Sequence, residues 1–319
     1  MRTRKIYVPP TYGINVNQMH FLILGIVGVL CLFAMFMPRL ASGNVATTVT
    51  GEPSALLLCL IGLVIGCYGT IVGIGGGPLI VPILFFFYGW DNEFLVATSL
   101  LVVFLNSLSG SIGYAVQKRI DYWGGIKFSL AALPGALLSG FLHNAFVIPM
   151  FDVIFGIFLL LLALWLILSI NKLDSIQNRK SVKREDFRHV VFRDSFGIPY
   201  DFYSNDMLGI CMNLALGFFV GFLGIGGGVF QVPIMLFLLM YPAHLATATS
   251  HFITATTCLF ALIPHFFLGN IMFSSAIPIG VGVVIGAQIG AKLAVRIQSK
   301  YLIYLFVLVL VVFALELFI

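Results

Sequence analysis

The sequence predicts an all-α polytopic membrane protein. It has two inverted-topology repeats, each a broken Gly-rich helical hairpin plus three transmembrane helices, with one extra N-terminal helix. Three observations carry this prediction: a composition too apolar for water, a duplication at a fixed offset, and a one-sided distribution of basic residues.

The chain has 319 residues, of which 60% are hydrophobic and only 9% charged. A soluble domain carries about 25% charged residues, so most of this chain faces lipid or itself. The net charge is +5. The basic residues lie in short loops, where they set membrane orientation, and no nucleic-acid partner is expected. The cysteines, Cys31, Cys59, Cys67, Cys211 and Cys258, all fall in apolar segments and none forms a C-x-x-C. They read as small buried hydrophobes, not as a disulfide framework or a zinc site. No metal and no cofactor is expected. Arg2, Arg4 and Lys5 precede an apolar run from His20 to Met37, with Ala41-Ser42-Gly43 beyond it. This resembles a signal peptide, but a signal core spans about 7–15 residues. The longer run favours a retained membrane helix over 20–38.

The duplication sets the organisation. "GIGGGPLIVPI" at Gly73–Ile83 recurs 151 positions later as "GIGGGVFQVPI" at Gly224–Ile234, and "ATS" at Ala97–Ser99 recurs at Ala248–Ser250. Between 66–99 and 217–250, 13 of 34 positions are identical without a gap. Gly135-Ala136 falls on Gly286-Ala287 at the same offset. Apolar composition alone does not keep glycines, prolines and hydroxyls in register. The divisions are a tail and extra helix over 1–53, a first repeat over 54–170, a basic cytoplasmic connector over 171–205 and a second repeat over 206–319. The first repeat has apolar stretches at 54–89, 94–116, 124–146 and 149–170. The second has them at 206–241, 243–267, 272–293 and 300–318.

The first stretch of each repeat is too long for one crossing. A helix over 54–89 would measure about 54 Å at 1.5 Å per residue, against a hydrocarbon core of about 30 Å. It is a broken crossing or a hairpin. Four basic clusters decide: Arg2 to Lys5, Lys118 to Lys127, the connector with its seven Lys and Arg, and Lys292 to Lys300. Hairpins put all four on one side and leave Arg39 alone on the other, as the positive-inside rule favours. A hairpin plus three crossings is odd, so the second repeat is inverted. The N-terminus is then cytoplasmic and the C-terminus external, in the plasma membrane. The connector reads as a solvated loop, with a partner or anionic lipid as the alternative.

The glycines give the hairpin turns a chemistry. Backbone polar groups cannot stay unsatisfied in lipid, so a non-helical Gly73–Gly77 is buried in protein or lines a watery cavity. A helix restarting at Gly77-Pro78 suits proline in its first turn. Its N-terminus offers free N–H donors and partial positive charge to an anion. The expected substrate-binding residues are therefore Gly75, Gly76 and Gly77 with Gly226, Gly227 and Gly228. Thr98, Ser99, Thr249, Ser250 and His251 complete the set on the following spans. The competing readings are close helix packing for the glycines and helix-to-helix hydrogen bonding for the hydroxyls. No Asp, Glu, Lys or Arg lies deep in any proposed span. That leaves no carboxylate pair for acid–base catalysis, and no enzyme is expected.

The paired G-x-G-G-G-x-x-x-V-P motifs, each followed 16 residues after the proline by Thr-Ser (Pro82 to Thr98, Pro233 to Thr249), resemble the sulfite exporter TauE/SafE family. The resemblance covers 54–170 and 206–318 and leaves out the first helix and most of the connector. It implies a secondary transporter exporting a small sulfur-containing anion, such as sulfite or an organosulfonate. An anion channel on the same scaffold is the alternative. Membrane lipid is the other expected partner. The oligomeric state stays open, with a homodimer among the options.

Overall fold

The computed structural model describes residues 53–142, 156–157, 159–168, 187–297 and 299–316. The predicted first helix over 20–38 and the connector's first part, 171–186, lie outside the described residues. The described chain is mostly helical. Its helices are α1 (Ala55–Val72), α2 (Gly77–Tyr88), α3 (Asn92–Val116) and α4 (Tyr122–Leu142), then α5 (Leu159–Leu168). After a β-hairpin come α6 (Asp206–Leu223), α7 (Gly228–Pro233, continued by a π-turn over Ile234–Leu238), α8 (Ala243–Leu268), α9 (Phe273–Ala294) and α10 (Ser299–Glu316). Four helices among the described residues are long and apolar enough to cross a membrane: Ala55–Val72, Glu93–Val116, Ala243–Leu268 and Phe273–Ala294.

Both Gly-rich stretches are broken where the glycines fall. α1 is capped at its start by Ser54, whose side chain accepts from the Leu57 N–H, and ends at Gly73 in the left-handed region. Proline stands in the first turn of α2, where its missing N–H costs nothing. α6 starts on an Asn205 cap and ends at a left-handed Gly224. After the first break the chain folds back. A methyl group added at Gly76 would stand 2.8 Å from Ile65 Cγ2, and one at Gly69 would stand 2.6 Å from the Gly76 nitrogen. The two ends of the first stretch also line one cavity, with Ala55 and Leu58 from its start and Tyr88 and Trp90 from its end.

Small residues bring helices from the two halves of the chain together. Along α1, Gly62 meets Ile279 and Gly66 meets Val283 of α9. From the other side, Gly282, Gly286 and Gly290 meet Cys59, Leu63 and Cys67 of α1. The partners advance together, so α1 and α9 run parallel. α4 and α6 make the corresponding pair, with Gly217 against the Ala132 carbonyl and Gly135 against the Gly217–Phe218 backbone. Such approaches gain close van der Waals contact that bulkier side chains would prevent.

The described residues also hold a two-stranded element that the all-α expectation lacks. β1 (Arg188–Arg193) and β2 (Pro199–Ser204) pair antiparallel, from Arg188 opposite Ser204 to Arg193 opposite Pro199. The period-2 pattern explains the strands: Val190, Tyr200 and Phe202 are buried while Val191 is exposed. The turn is held by Asp194, whose Oδ1 accepts from the N–H groups of Phe196 and Ile198. Asp194 Oδ2 accepts 3.0 Å bonds from Nε and Nη2 of Arg119, and both side chains are buried. The Arg119 guanidinium lies over the Phe196 ring, and Ser195 donates to the Gln117 carbonyl. The second part of the connector is thus docked on the α3–α4 loop instead of standing free in solvent.

Candidate functional site

The two Gly-rich turns are in direct contact. A methyl group added at Gly77 would run into the Ile225 carbonyl, and one at Gly228 would stand 2.5 Å from the Ile74 Cα. Gly75 and Gly226 both face Val103 Cγ1 of α3 and Thr254 Cγ2 of α8. Gly73, Gly75 and Gly76 have φ of 93°, 74° and 82°, and Gly224 and Gly226 have 68° and 74°. This backbone costs an L side chain about 1–2 kcal/mol per residue, which is why glycine recurs here. Of the six predicted site glycines, Gly77 and Gly228 each meet the backbone of the opposite turn, and Gly75 and Gly226 share the neighbours Val103 and Thr254. Gly76 faces Ile65 and Gly227 faces Val220. The N–H groups of Gly75, Gly76, Gly226 and Gly228 donate to no backbone carbonyl among the described residues.

The predicted hydroxyls hold this junction in a reciprocal pattern. Ser99 of α3 donates to the Gly224 carbonyl at 2.7 Å, and Ser250 of α8 donates to the Gly73 carbonyl at 2.9 Å. Each hydroxyl thus grips the first turn residue of the other repeat. Thr98 Oγ1 accepts from the Met272 N–H at the start of α9, and Thr249 Oγ1 accepts from the Asp121 N–H at the start of α4. All four residues are buried; Ser99 and Ser250 use their hydroxyl protons in these bonds, whereas Thr98 and Thr249 act as acceptors.

The family model described as "Sulfite exporter TauE/SafE" matches residues 13–143 and 94–317. The chain belongs to the sulfite exporter TauE/SafE family. It is similar to the probable membrane transporter protein YunE of Bacillus subtilis, 30% identical over 83% of this chain and 97% of that protein. It is also similar to the probable membrane transporter protein MJ0441 of Methanocaldococcus jannaschii, 28% identical over 77% of this chain and 88% of that protein. A probable membrane transporter protein of Xylella fastidiosa is 23% identical over 76% of this chain and 85% of its own length. No solved structure matches. The molecule is a membrane transporter of the TauE/SafE family.

Around the junction, this TauE/SafE chain buries polar groups that sequence reasoning left outside the expected set. Ser107 Oγ, Asn106 Nδ2, Thr254 Oγ1 and Gln231 Nε2 are buried without a hydrogen-bond partner. Asn106 Oδ1 accepts from Thr70 Oγ1, which leaves its amide NH2 spare. A methyl group at Gly75 would stand 2.7 Å from Ser107 Oγ. A buried polar group without a partner costs about 1–3 kcal/mol. Asn106, Ser107 and Thr254 lie on the same spans as the predicted hydroxyls. Ser107 follows Ser99 by two turns on α3, and Thr254 follows Ser250 by one turn on α8. His251 packs on the Tyr114 ring and beside Gly110. Among the described residues its ring nitrogens have no partner at hydrogen-bonding geometry. Among the described residues no cluster of His, Cys, Asp and Glu could hold a metal ion.

The two equivalent turns differ at one position. Gly76 has a φ of 82°, whereas Gly227 has −75°. Gly76→Ala is therefore expected to lose about 1–2 kcal/mol of stability, and Gly227→Ala much less. Thermal unfolding of the two purified variants in detergent checks this. Equal losses would place the strain elsewhere.

Proposed function

We propose that this protein is a secondary transporter exporting a small sulfur-containing anion, such as sulfite or an organosulfonate, from a site between the two Gly-rich turns. The observation carrying this reading is the junction itself. It brings two turns into contact, with amides that donate to no backbone carbonyl and with unpaired amide and hydroxyl side chains around them, among the described residues. Donors without formal charge suit an oxyanion that must also leave. In this reading Gly75–Gly77 and Gly226–Gly228 supply backbone donors, Ser107, Asn106 and Thr254 supply side-chain donors, and His251 flanks them. Ser99 and Ser250 fix the turns, while Thr98 and Thr249 fix the neighbouring helix starts.

Inverted repeats follow in the same reading. The start and end of the first stretch meet at the cavity by Trp90 and Met272. Those of the second meet at Arg188, which bonds both Asp206 and Tyr241. Two hairpins entering from opposite ends and meeting near the midplane fit transporters of alternating access. The basic residues Lys118, Arg119, Lys127 and Arg188 gather at one end with the C-terminal end of α9, where Gln117 donates to the Ala291 carbonyl. That end is assigned to the cytoplasm.

Reconstituted vesicles test the function. Flux of sulfite, thiosulfate, sulfoacetate, sulfate and carboxylates is measured with and without a pH gradient. Saturable exchange of a sulfur oxyanion, accelerated by substrate on the far side, is the expected result. Large unitary currents would make the protein a channel. Transport confined to carboxylates would overturn the substrate class.

A further inference from the structure

The 151-residue offset pairs the two ends of the molecule, and the pairing shows a difference. At one end a cavity of about 360 Å³ is lined in part by Ala55, Leu58, Trp90, Met272, Ser275 and Pro278. The positions 151 residues away from these are Asp206, Gly209, Tyr241, Asp121, Gly124 and Lys127. They gather in the same way at the other end, but there the space is filled by one side chain. Arg188 of β1 donates from Nη1 and Nη2 to the two oxygens of Asp121, from Nε to both oxygens of Asp206, and from Nη2 to the Tyr241 hydroxyl. A methyl group at Gly124 would stand 2.8 Å from Arg188 Nη2. Lys127 adds a 2.8 Å bond to Asp206.

The hairpin carrying Arg188 belongs to neither repeat, and it is fastened independently. The Arg119–Asp194 pair anchors its turn, and the Phe202 ring packs on Tyr241 with centroids 4.7 Å apart. Burial alone would lower the Arg188 pKa. The Asp121 and Asp206 carboxylates and Tyr241 more than offset this and hold the guanidinium charged.

We propose that the 188–204 hairpin is a gate and Arg188 its latch, closing one of two mouths that the duplication made equivalent. Among the described residues the arrangement is open at the Trp90 cavity and shut at the Arg188 end. Opening the second mouth requires the guanidinium to leave Asp121 and Asp206 together. The position of the latch outside both repeats gives one end a lock that the other lacks among the described residues. This inference rests on the transporter reading of the site.

Cys258 supplies a reporter between the two mouths. It is buried, with Sγ 3.8 Å from a methyl group placed at Gly226. A variant keeping Cys258 alone, with the other cysteines changed to serine, is reconstituted in vesicles of one orientation. A membrane-impermeant methanethiosulfonate is applied at the hairpin side. Cys258 is expected to react slowly with Arg188 present and about tenfold faster in Arg188→Gln, the change that a shift of the open population by the same factor produces. Arg188→Lys keeps the charge but not the fork, and it is expected to fall between them. It serves as the second variant should Arg188→Gln fail to fold. Unchanged labelling across the three, or no labelling at all, overturns the gate. Anion flux measured on the same vesicles separates the two readings. Flux with unchanged labelling removes the gate alone. Latch-dependent labelling without flux of any anion removes the anion site of the proposed function and leaves the gate.

Discussion

Gly77→Leu and Gly228→Leu are each expected to cut anion flux in vesicles below about one hundredth of the native rate, the loss that ångström-scale misplacement of binding groups produces. Each glycine faces the backbone of the opposite turn, at Ile225 and at Ile74–Gly73. A side chain there cannot be accommodated by a rotamer change and must push the turns apart. The donors of one turn then no longer converge with those of the other. Both proteins should still insert, because the spans lie elsewhere. Gly89→Asn is the control. Gly89 has φ 57° with nothing within 4 Å of an added methyl group, and asparagine tolerates that backbone. Native flux in either leucine variant would remove the substrate from between the turns.

The second large effect is on stability. Asp194→Ala is expected to cost about 3–5 kcal/mol, the range for removing one partner of a buried ion pair. Asp194 Oδ2 is the acceptor for Arg119, whose Nη1 already lacks a partner. Deleting the carboxylate strands a buried guanidinium and frees the Phe196 and Ile198 amides at once. Arg119→Met keeps much of the volume and leaves Asp194 with those two amides and the Tyr200 hydroxyl. It should lose distinctly less. Thermal midpoints of both variants in detergent decide the matter, and an equal or larger loss in Arg119→Met would mean that the arginine, not the carboxylate, organises the turn.

Much of the helical framework was legible because it depends on local signals. The expected spans 94–116, 243–267 and 272–293 lie within about two residues of α3, α8 and α9. The breaks at Gly73–Gly77 and Gly224–Gly228 could be read because glycine and proline act on their own backbone. The β-hairpin was hidden by its setting. Its alternation of Val190, Phe192, Tyr200 and Phe202 is short, and the run of basic residues before it reads as solvent-exposed loop. At the candidate site, residue types placed the hydroxyls on α3 and α8 but did not give their bonds. The Ser99 and Ser250 hydroxyls end on carbonyls 125 and 177 positions away, and no spacing rule reaches so far. The unpaired Ser107, Asn106 and Thr254 became distinct only once the other hydroxyls had partners.

The exchanged serine bonds also bear on biosynthesis. Gly73 is held by Ser250, and α1 lies against α9, so the first broken hairpin leaves the ribosome long before the elements that support it exist. α6 in turn finds α4 already made. The N-terminal half must therefore wait in the membrane with its turn unpinned, and it acquires its native form only when the C-terminal half arrives. Maturation of the two halves is a single late event, although their insertion is sequential.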